Sequence, residues 1–529
     1  MKFTQNRLIF ITSLFFVLFY NFSFFSNTLK VYPLAFSNAG FLISLAVVLW
    51  AVTVFVLELL SYKRTIKPLL IFLLFASSFA AYFMDTYGVI IDDGMLINAV
   101  QTNAEESLGL LSIKLVLYIL FLGILPAIFV YKVKINYQSI KKELISKMIA
   151  IFVMLCVIGL SVFAFSGHYA SFFREHKPLR QHTNPTFWIY SVGELTKSLL
   201  KNQNKEVVKI GLDAKIEENS TRKKVVIMVV GEAARWDHFS LNGYAKETNP
   251  MLKKEDIINL SNVSSCGTST AYSVPCMFSY KTRKEFDIDD APYEENVLDV
   301  LKHTGKIAII WRDNNSNSKD VAQNIGEQDY RTNKNNTICD SECRDEGMLV
   351  GLDKFIEQNK DKDILIVLHQ MGNHGPEYYK RYPKAFEKFA PTCKTNQLEN
   401  CKKEELVNAY DNAILYTDAF LSKTINFLKT YDTSHDTSMI YMSDHGESLG
   451  ENGVYLHGMP YVMAPEAQKH VGAILWFGDK TKKTIPYQKI VQNAKKEYSQ
   501  DNLFHTLLGI FGVKTSIYDK NMDVINANK

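Results

Sequence analysis

Five long apolar runs fill the first third of this chain, and they constrain its architecture more than any other feature. They lie at Leu8–Phe25, Gly40–Leu60, Pro68–Met84, Leu115–Tyr131 and Met148–Phe165. Each is close to the roughly 17–25 residues that cross a hydrocarbon core as a helix. The first run is long for a signal core and lacks a clear small-residue cleavage site, so a cleaved leader explains it poorly. The 47% apolar content of the 529 residues is thus an average over two unlike halves. The expected organisation is a five-helix transmembrane domain over residues 1–166, a connector over 167–221 and a soluble α/β domain over 222–529. A formal charge of +4 is small for this length and gives nucleic-acid binding no support.

Loop charges set the orientation. Lys2 and Arg7 precede the first run. Lys63, Arg64 and Lys67 follow the second, and Lys132, Lys134, Lys141, Lys142 and Lys147 follow the fourth. The alternate loops hold only Lys30 and Lys114, the latter beside Asp85, Asp92, Asp93, Glu105 and Glu106. The amino terminus is therefore expected in the cytoplasm, and everything after residue 166 outside. Cysteine usage agrees. Cys156 falls within the fifth run, and the other six form close pairs in the soluble half: Cys266/Cys276, Cys339/Cys343 and Cys393/Cys401. Disulfides persist in oxidising compartments such as the periplasm. Six cysteines allow fifteen connectivities, of which proximity favours these three bridges. A zinc site is the rival reading of Cys339/Cys343. In the connector, Trp188, Val192, Leu195 and Leu199 share one helical side, which suits either a membrane-surface helix or a packing helix between domains.

The chemistry-bearing residues recur at the ends of strand-like runs. Val225–Val230 leads to Gly231-Glu232, and Ile364–Leu368 leads through His369 to His374. Met439–Ser443 leads to Asp444-His445, with His457 twelve residues on. In an open α/β sheet, loops at the carboxyl ends of strands converge on one crevice. Mixed carboxylate and imidazole ligands suit zinc, then manganese. The stretch Cys266–Cys276 carries Thr268, Ser269, Thr270 and Ser273. Alone, such hydroxyls are most often helix caps. Beside a metal, one of them becomes a nucleophile.

Gly231–Tyr244, Cys266–Ser279, Trp311–Asn315, Met371–Pro376 and Ser443–Ser448 closely resemble the phosphoethanolamine transferases, the lipid A modifying family that includes the mobile colistin-resistance proteins. The soluble half resembles the alkaline phosphatase superfamily, with a sulfatase-like central sheet. The resemblance implies a multi-pass protein of the bacterial inner membrane, acting as a monomer, with its catalytic domain in the periplasm. It implies that Thr270 accepts phosphoethanolamine and that Glu232, Asp444 and His445 join Thr270 around a principal zinc, one of one or two. His374 and His457 then contact the phosphoryl group or a second zinc. Asn315, Lys319 and Glu447 fall near substrate-binding positions, and Asn98, Thr102 and Glu106 near the lipid-donor site. The donor would be phosphatidylethanolamine and the acceptor lipid A or another envelope molecule, and added amine would weaken polymyxin binding. Rival readings are a phosphoglycerol transferase of the lipoteichoic acid type and a catalytically inactive lipid- or metal-binding protein. A sulfatase would need a Cys-x-Pro-x-Arg sequence, which is lacking.

Overall fold

A computed structural model describes residues 2–101, 109–174, 176–202, 205–216, 222–396 and 398–526. The chain divides into two compact units. One holds Met1–Leu96 and Leu111–Lys197, the other Ile97–Leu110 and Ser198–Lys529.

In the first unit, four helices are long and apolar enough to cross a membrane: Phe36–Leu60, Ile66–Tyr87, Ile113–Lys132 and Ile140–Ala164. Among the described residues a further apolar pair, Gln5–Phe19 and Phe22–Val31, is bent by 57° and counts as a fifth span if the two helices form one. The expected single run Leu8–Phe25 is therefore broken. The cause is Asn21, buried at the break, whose amide donates to Phe16 O at 3.0 Å and Asn184 O at 2.6 Å. A polar side chain with no water to bind must find carbonyls, and those at a helix end are the ones free to accept. The fourth span carries a π-helical turn at Ile119–Ile124, and the Tyr20 hydroxyl donates to Leu122 O within it.

The residues of the expected connector divide between the units. Its helix, Thr186–Asn202, packs by its first turn. Trp188 joins the apolar core of the first unit, and its indole N–H lies 3.2 Å from both Ser77 Oγ and Asn184 Oδ1. Val192 on the expected apolar side is 40% exposed.

The second unit is built on a seven-stranded sheet. Its strands are β1 (Lys224–Gly231), β2 (Ile257–Leu260), β3 (Ile307–Asp313), β4 (Glu327–Asp329), β5 (Asp363–His369), β6 (Asp436–Ser443) and β7 (Ala473–Phe477). They lie in the order β2-β7-β6-β1-β5-β3-β4. From β6 to β4 the pairing is parallel, and β7 runs antiparallel to both neighbours. Parallel strands are covered on both faces, which explains the unbroken apolar runs that mark them in the sequence. In β1, Val226, Met228 and Val230 enter one core, and Val225, Ile227 and Val229 enter the other. The helix Asn502–Phe511 helps close the first core, and the 27-residue helix Lys403–Lys429 covers the second. Disulfides join Cys266 to Cys276, Cys339 to Cys343 and Cys393 to Cys401.

Candidate active site

Strand register assembles the site. Ser443 pairs with Gly231 across β6 and β1, and His369 pairs with Val230 on one side and Asp313 on the other. The residues that follow, Glu232, Asp444 and Asn314-Asn315, therefore leave the sheet at one level. Ala233, just after Glu232, has φ 53°, a conformation a non-glycine residue adopts only when its surroundings hold it there. Its N–H donates to Asp444 Oδ1 at 3.1 Å, which ties the two strand ends together. Gly372 also has positive φ, and a Cβ there would stand 3.0 Å from Glu232 O. Glycine is what lets the 371–375 loop pass this close.

Thr270 opens the helix Thr270–Phe278, with extended Ser269 as its N-cap. The Cys266–Cys276 bridge closes this segment. Gln500 fixes its position: Oε1 accepts from Cys266 N at 2.6 Å, and Nε2 donates to the carbonyls of Ser443 and Asp444 at 2.7 Å. The Thr270 hydroxyl consequently donates to Glu232 Oε2 at 3.0 Å and lies 3.4 Å from His445 Nε2.

The electrostatics call for a cation. Glu232 and Asp444 are buried, and neither Glu232 Oε1 nor Asp444 Oδ2 has a hydrogen-bond partner. Each carboxylate has an oxygen 3.4 Å from His445 Nε2. Burial pushes the Glu232 carboxyl well above its usual range, and the Asp444 charge adds to this. Burial lowers His445 to about 4, so its ring is neutral. Its Nδ1–H donates to Gly446 O at 2.7 Å, which leaves the Nε2 lone pair facing the carboxylates. Two buried carboxylates are costly together unless a positive charge compensates them. Ligand atoms of Glu232, Asp444 and His445 lie within 4.8 Å of one another, and so do those of Glu232, His374 and His457. The residues present thus fit one divalent ion, with a second group sharing Glu232, and the oxygen–nitrogen donor set suits zinc.

The remaining expected residues fall differently. His374 donates from Nδ1 to Gly375 O at 2.7 Å, and Arg381 Nε holds its carbonyl at 2.6 Å. His457 Nδ1 meets Glu447 Oε2 at 2.7 Å, and its ring centre stands 4.2 Å from that of His445. Glu447, expected at the substrate, is fully buried, with its other oxygen taken by the Tyr378 hydroxyl. Both oxygens thus hydrogen-bond within the protein, one of them to His457. Asn315 spends its amide on Glu232 Oε2 and Gln370 O, each at 2.8 Å. Lys319 is buried, with Nζ 3.5 Å from Ser316 O. Asn98 lies on the helix Asp93–Gln101, in the part of it that groups with the second unit. Thr102 and Glu106 lie outside the described residues.

Tyr378, Gln500 and Asp345 were not legible as site residues. Asp345 accepts from Asn314 Nδ2, Met371 N and Gly372 N, and so braces the loop that carries His374. Each acts through a contact between segments distant in sequence, and a lone Tyr, Gln or Asp in a loop carries no local signal.

Sheet, strand-end donors and apolar helices together define a membrane-spanning protein with a sulfatase-type domain. The sulfatase family model matches residues 224–513, and the model for phosphoethanolamine transferase EptA/EptB matches residues 49–200. Phosphatidylethanolamine transferase Mcr-1 of Escherichia coli is 48% identical over 474 residues, covering 87% of each chain. The integral membrane lipooligosaccharide phosphoethanolamine transferase A from Neisseria meningitidis superposes with TM-score 0.94 at 35% identity, covering 98% of both chains. The periplasmic domain of EptC from Campylobacter jejuni is 42% identical, with TM-score 0.54, and covers 61% of this chain and all of that one. The chain belongs to the phosphoethanolamine transferase family and is an enzyme of that class.

Proposed function

We propose that this enzyme transfers phosphoethanolamine from phosphatidylethanolamine to lipid A through a covalent ester on Thr270. One observation carries the reading: the Thr270 hydroxyl opens a helix and lies against Glu232 and His445, within a buried donor set that has unmatched carboxylate oxygens. Glu232, Asp444, His445 and Thr270 are the residues that would hold zinc, with His374 and His457 beside a second ion or the phosphoryl group. A bound zinc supplies Lewis-acid polarisation of the phosphoryl oxygens and a lowered pKa for a coordinated hydroxyl.

Thr270 Oγ1 attacks phosphorus as its proton passes toward Glu232 Oε2, its hydrogen-bond acceptor. The bond from phosphorus to the glycerol oxygen breaks, and diacylglycerol leaves with that proton. An acceptor phosphate hydroxyl then gives its proton to Glu232 Oε2 as its oxygen attacks the ester phosphorus, and the bond to Thr270 Oγ1 breaks as Thr270 takes that proton. The helix amino terminus favours the anionic phosphoryl group throughout. His457, oriented by Glu447 and Tyr378, presents Nε2 to that group. Asn98, Thr102 and Glu106 hold the ethanolamine head group of the donor. Residues 1–166 anchor the enzyme in the bacterial inner membrane, 167–221 connect, and 222–529 work in the periplasm as part of a monomer.

The test is Thr270→Ala in the full-length enzyme, with fluorescent phosphatidylethanolamine as donor and mass spectrometry of lipid A. Transfer should vanish with the thermal midpoint kept, and Thr270→Ser should retain part of the rate. Wild-type transfer by the alanine variant would remove Thr270 from the chemistry.

A further inference from the structure

Beside the Thr270 loop sits a cationic feature that the transfer chemistry leaves unused. The loop Gly458–Pro465 follows His457 and is locked three times to the stretch from Ser265 to Thr268. Gly458 N donates to Thr268 O at 2.7 Å, Thr268 Oγ1 donates to Met459 O at 2.6 Å, and the Tyr461 hydroxyl donates to Ser265 O at 2.9 Å. The Arg283 guanidinium lies over the Tyr461 ring, 3.9 Å from its centre. Arg283 is held from below as well, since its N–H donates to Asp501 Oδ1 at 2.9 Å. Three residues on, Phe286 packs against Cys266 and Cys276, and its carbonyl accepts from Tyr272 at 3.3 Å. Arg283 thus stands on the same framework as Thr270.

The Asp501 carboxylate acts on the Arg283 charge through space without forming an ion pair with it. Lys469 flanks the Tyr461 ring at 5.5 Å but already pairs with Glu466 at 3.0 Å. Among the described residues no carboxylate lies within salt-bridge distance of the Arg283 guanidinium, which remains half-exposed. A guanidinium stacked on an aromatic ring keeps its donors in a fixed plane, the geometry that matches a phosphate with two parallel hydrogen bonds. The next residue after Tyr461, Val462, is 95% exposed at the loop tip. An oriented cation beside an apolar tip complements an amphiphile that carries phosphate on a polar head.

We infer that Arg283, stacked on Tyr461, forms the docking point for the phosphorylated saccharide head of an anionic glycolipid acceptor, at the rim of the Thr270 site. The inference rests on the transferase reading above. It assigns the acceptor a place separate from the donor's head group: one phosphate is gripped by Arg283, and a neighbouring oxygen is brought to the ester on Thr270.

The test uses the full chain in detergent and two probes, a bis-phosphorylated glucosamine disaccharide and the same sugar without phosphate. Calorimetry with wild type should show tighter binding of the phosphorylated probe. Arg283→Gln should weaken that binding about tenfold, the cost of one charge-assisted contact, with no change for the phosphate-free sugar. Lys469→Gln, whose lysine is already paired, should change it by less than about threefold. In turnover, Arg283→Gln should raise KM for the phosphorylated acceptor and keep kcat. The docking point is overturned if Arg283→Gln binds both probes as wild type does, or weakens both equally. A failure of the transferase reading looks different: wild type would bind the phosphorylated sugar through Arg283, yet no phosphoethanolamine would ever appear on it.

Discussion

Glu447→Gln tests whether this carboxylate serves the substrate or the protein. In the structure one oxygen accepts from His457 and the other from the Tyr378 hydroxyl, with the side chain fully buried. Glutamine keeps the shape and loses the charge. If its carbonyl faces Tyr378, its amide nitrogen faces His457 Nδ1, and an N–H must point where Nδ1–H now points. The histidine must then give up that proton and carry it on Nε2, which removes the lone pair turned toward the site. The reverse placement instead sets the amide N–H against the tyrosine hydroxyl. Either way one charge-assisted bond is lost in a buried place, about 1.5–3 kcal/mol. For a unit of this size that lowers the thermal midpoint by roughly 2–4 °C. Donor turnover should fall through kcat, because His457 is misoriented, and KM for phosphatidylethanolamine should hardly move. Tyr378→Phe should give a smaller loss of the same kind. In a double-mutant cycle the two should couple by about 0.5 kcal/mol or more, as groups in one network do. The assay is differential scanning fluorimetry and fluorescent-donor turnover on the full-length enzyme in detergent. An unchanged midpoint with a raised KM alone would refute the reasoning, and would put Glu447 against the substrate as its motif suggested.

Chelation should stop turnover and also lower the thermal midpoint, because Glu232 and Asp444 lose their compensating charge; an ion at about 1,000 times its Kd stabilises by ~4 kcal/mol. Zinc should restore both, and a midpoint indifferent to chelator would contradict the donor set. Asp418 adds a pH dependence: burial raises its carboxyl from 3.8 to about 7. The folded state therefore holds a proton that the unfolded chain has lost, so stability is full below about pH 4 and falls as pH rises through 7, by at most ~4 kcal/mol. Asp418→Asn should flatten that slope in thermal scans from pH 5 to 8. It should also cost stability at pH 5, since one of the two oxygens that accept from Met251 and Leu252 N–H becomes a donor. A slope unchanged in this variant would assign the dependence elsewhere. Under the proposed role of Glu106 in pairing with the donor's ammonium, Glu106→Ala should slow transfer from phosphatidylethanolamine in detergent micelles. Equal rates with wild type would leave the membrane half as an anchor only.

How much was legible in the sequence depended on how local the physics is. Hydrophobic length and periodicity act over a few turns, so the apolar helices and the strands before Glu232, Asp444 and His369 could be read from residues alone. Cys266/Cys276, Cys339/Cys343 and Cys393/Cys401 are close enough in sequence for proximity to suggest their pairing. The full setting of the break at Asn21 could not be read, because one of its partners, Asn184, lies 163 residues away. Roles within the site were likewise decided by tertiary contacts. Glu447 sits in the same short motif as Asp444 and His445, and its motif gives no sign that Tyr378 and His457 consume both its oxygens. Gln500, far beyond the last motif, clamps the Thr270 loop to the end of β6. Residue type and spacing determined which ligands this chain can offer. Only the register of β1, β5 and β6, and the buried polar groups that had to find partners there, decided which of those atoms meet at one place and which hold the others there.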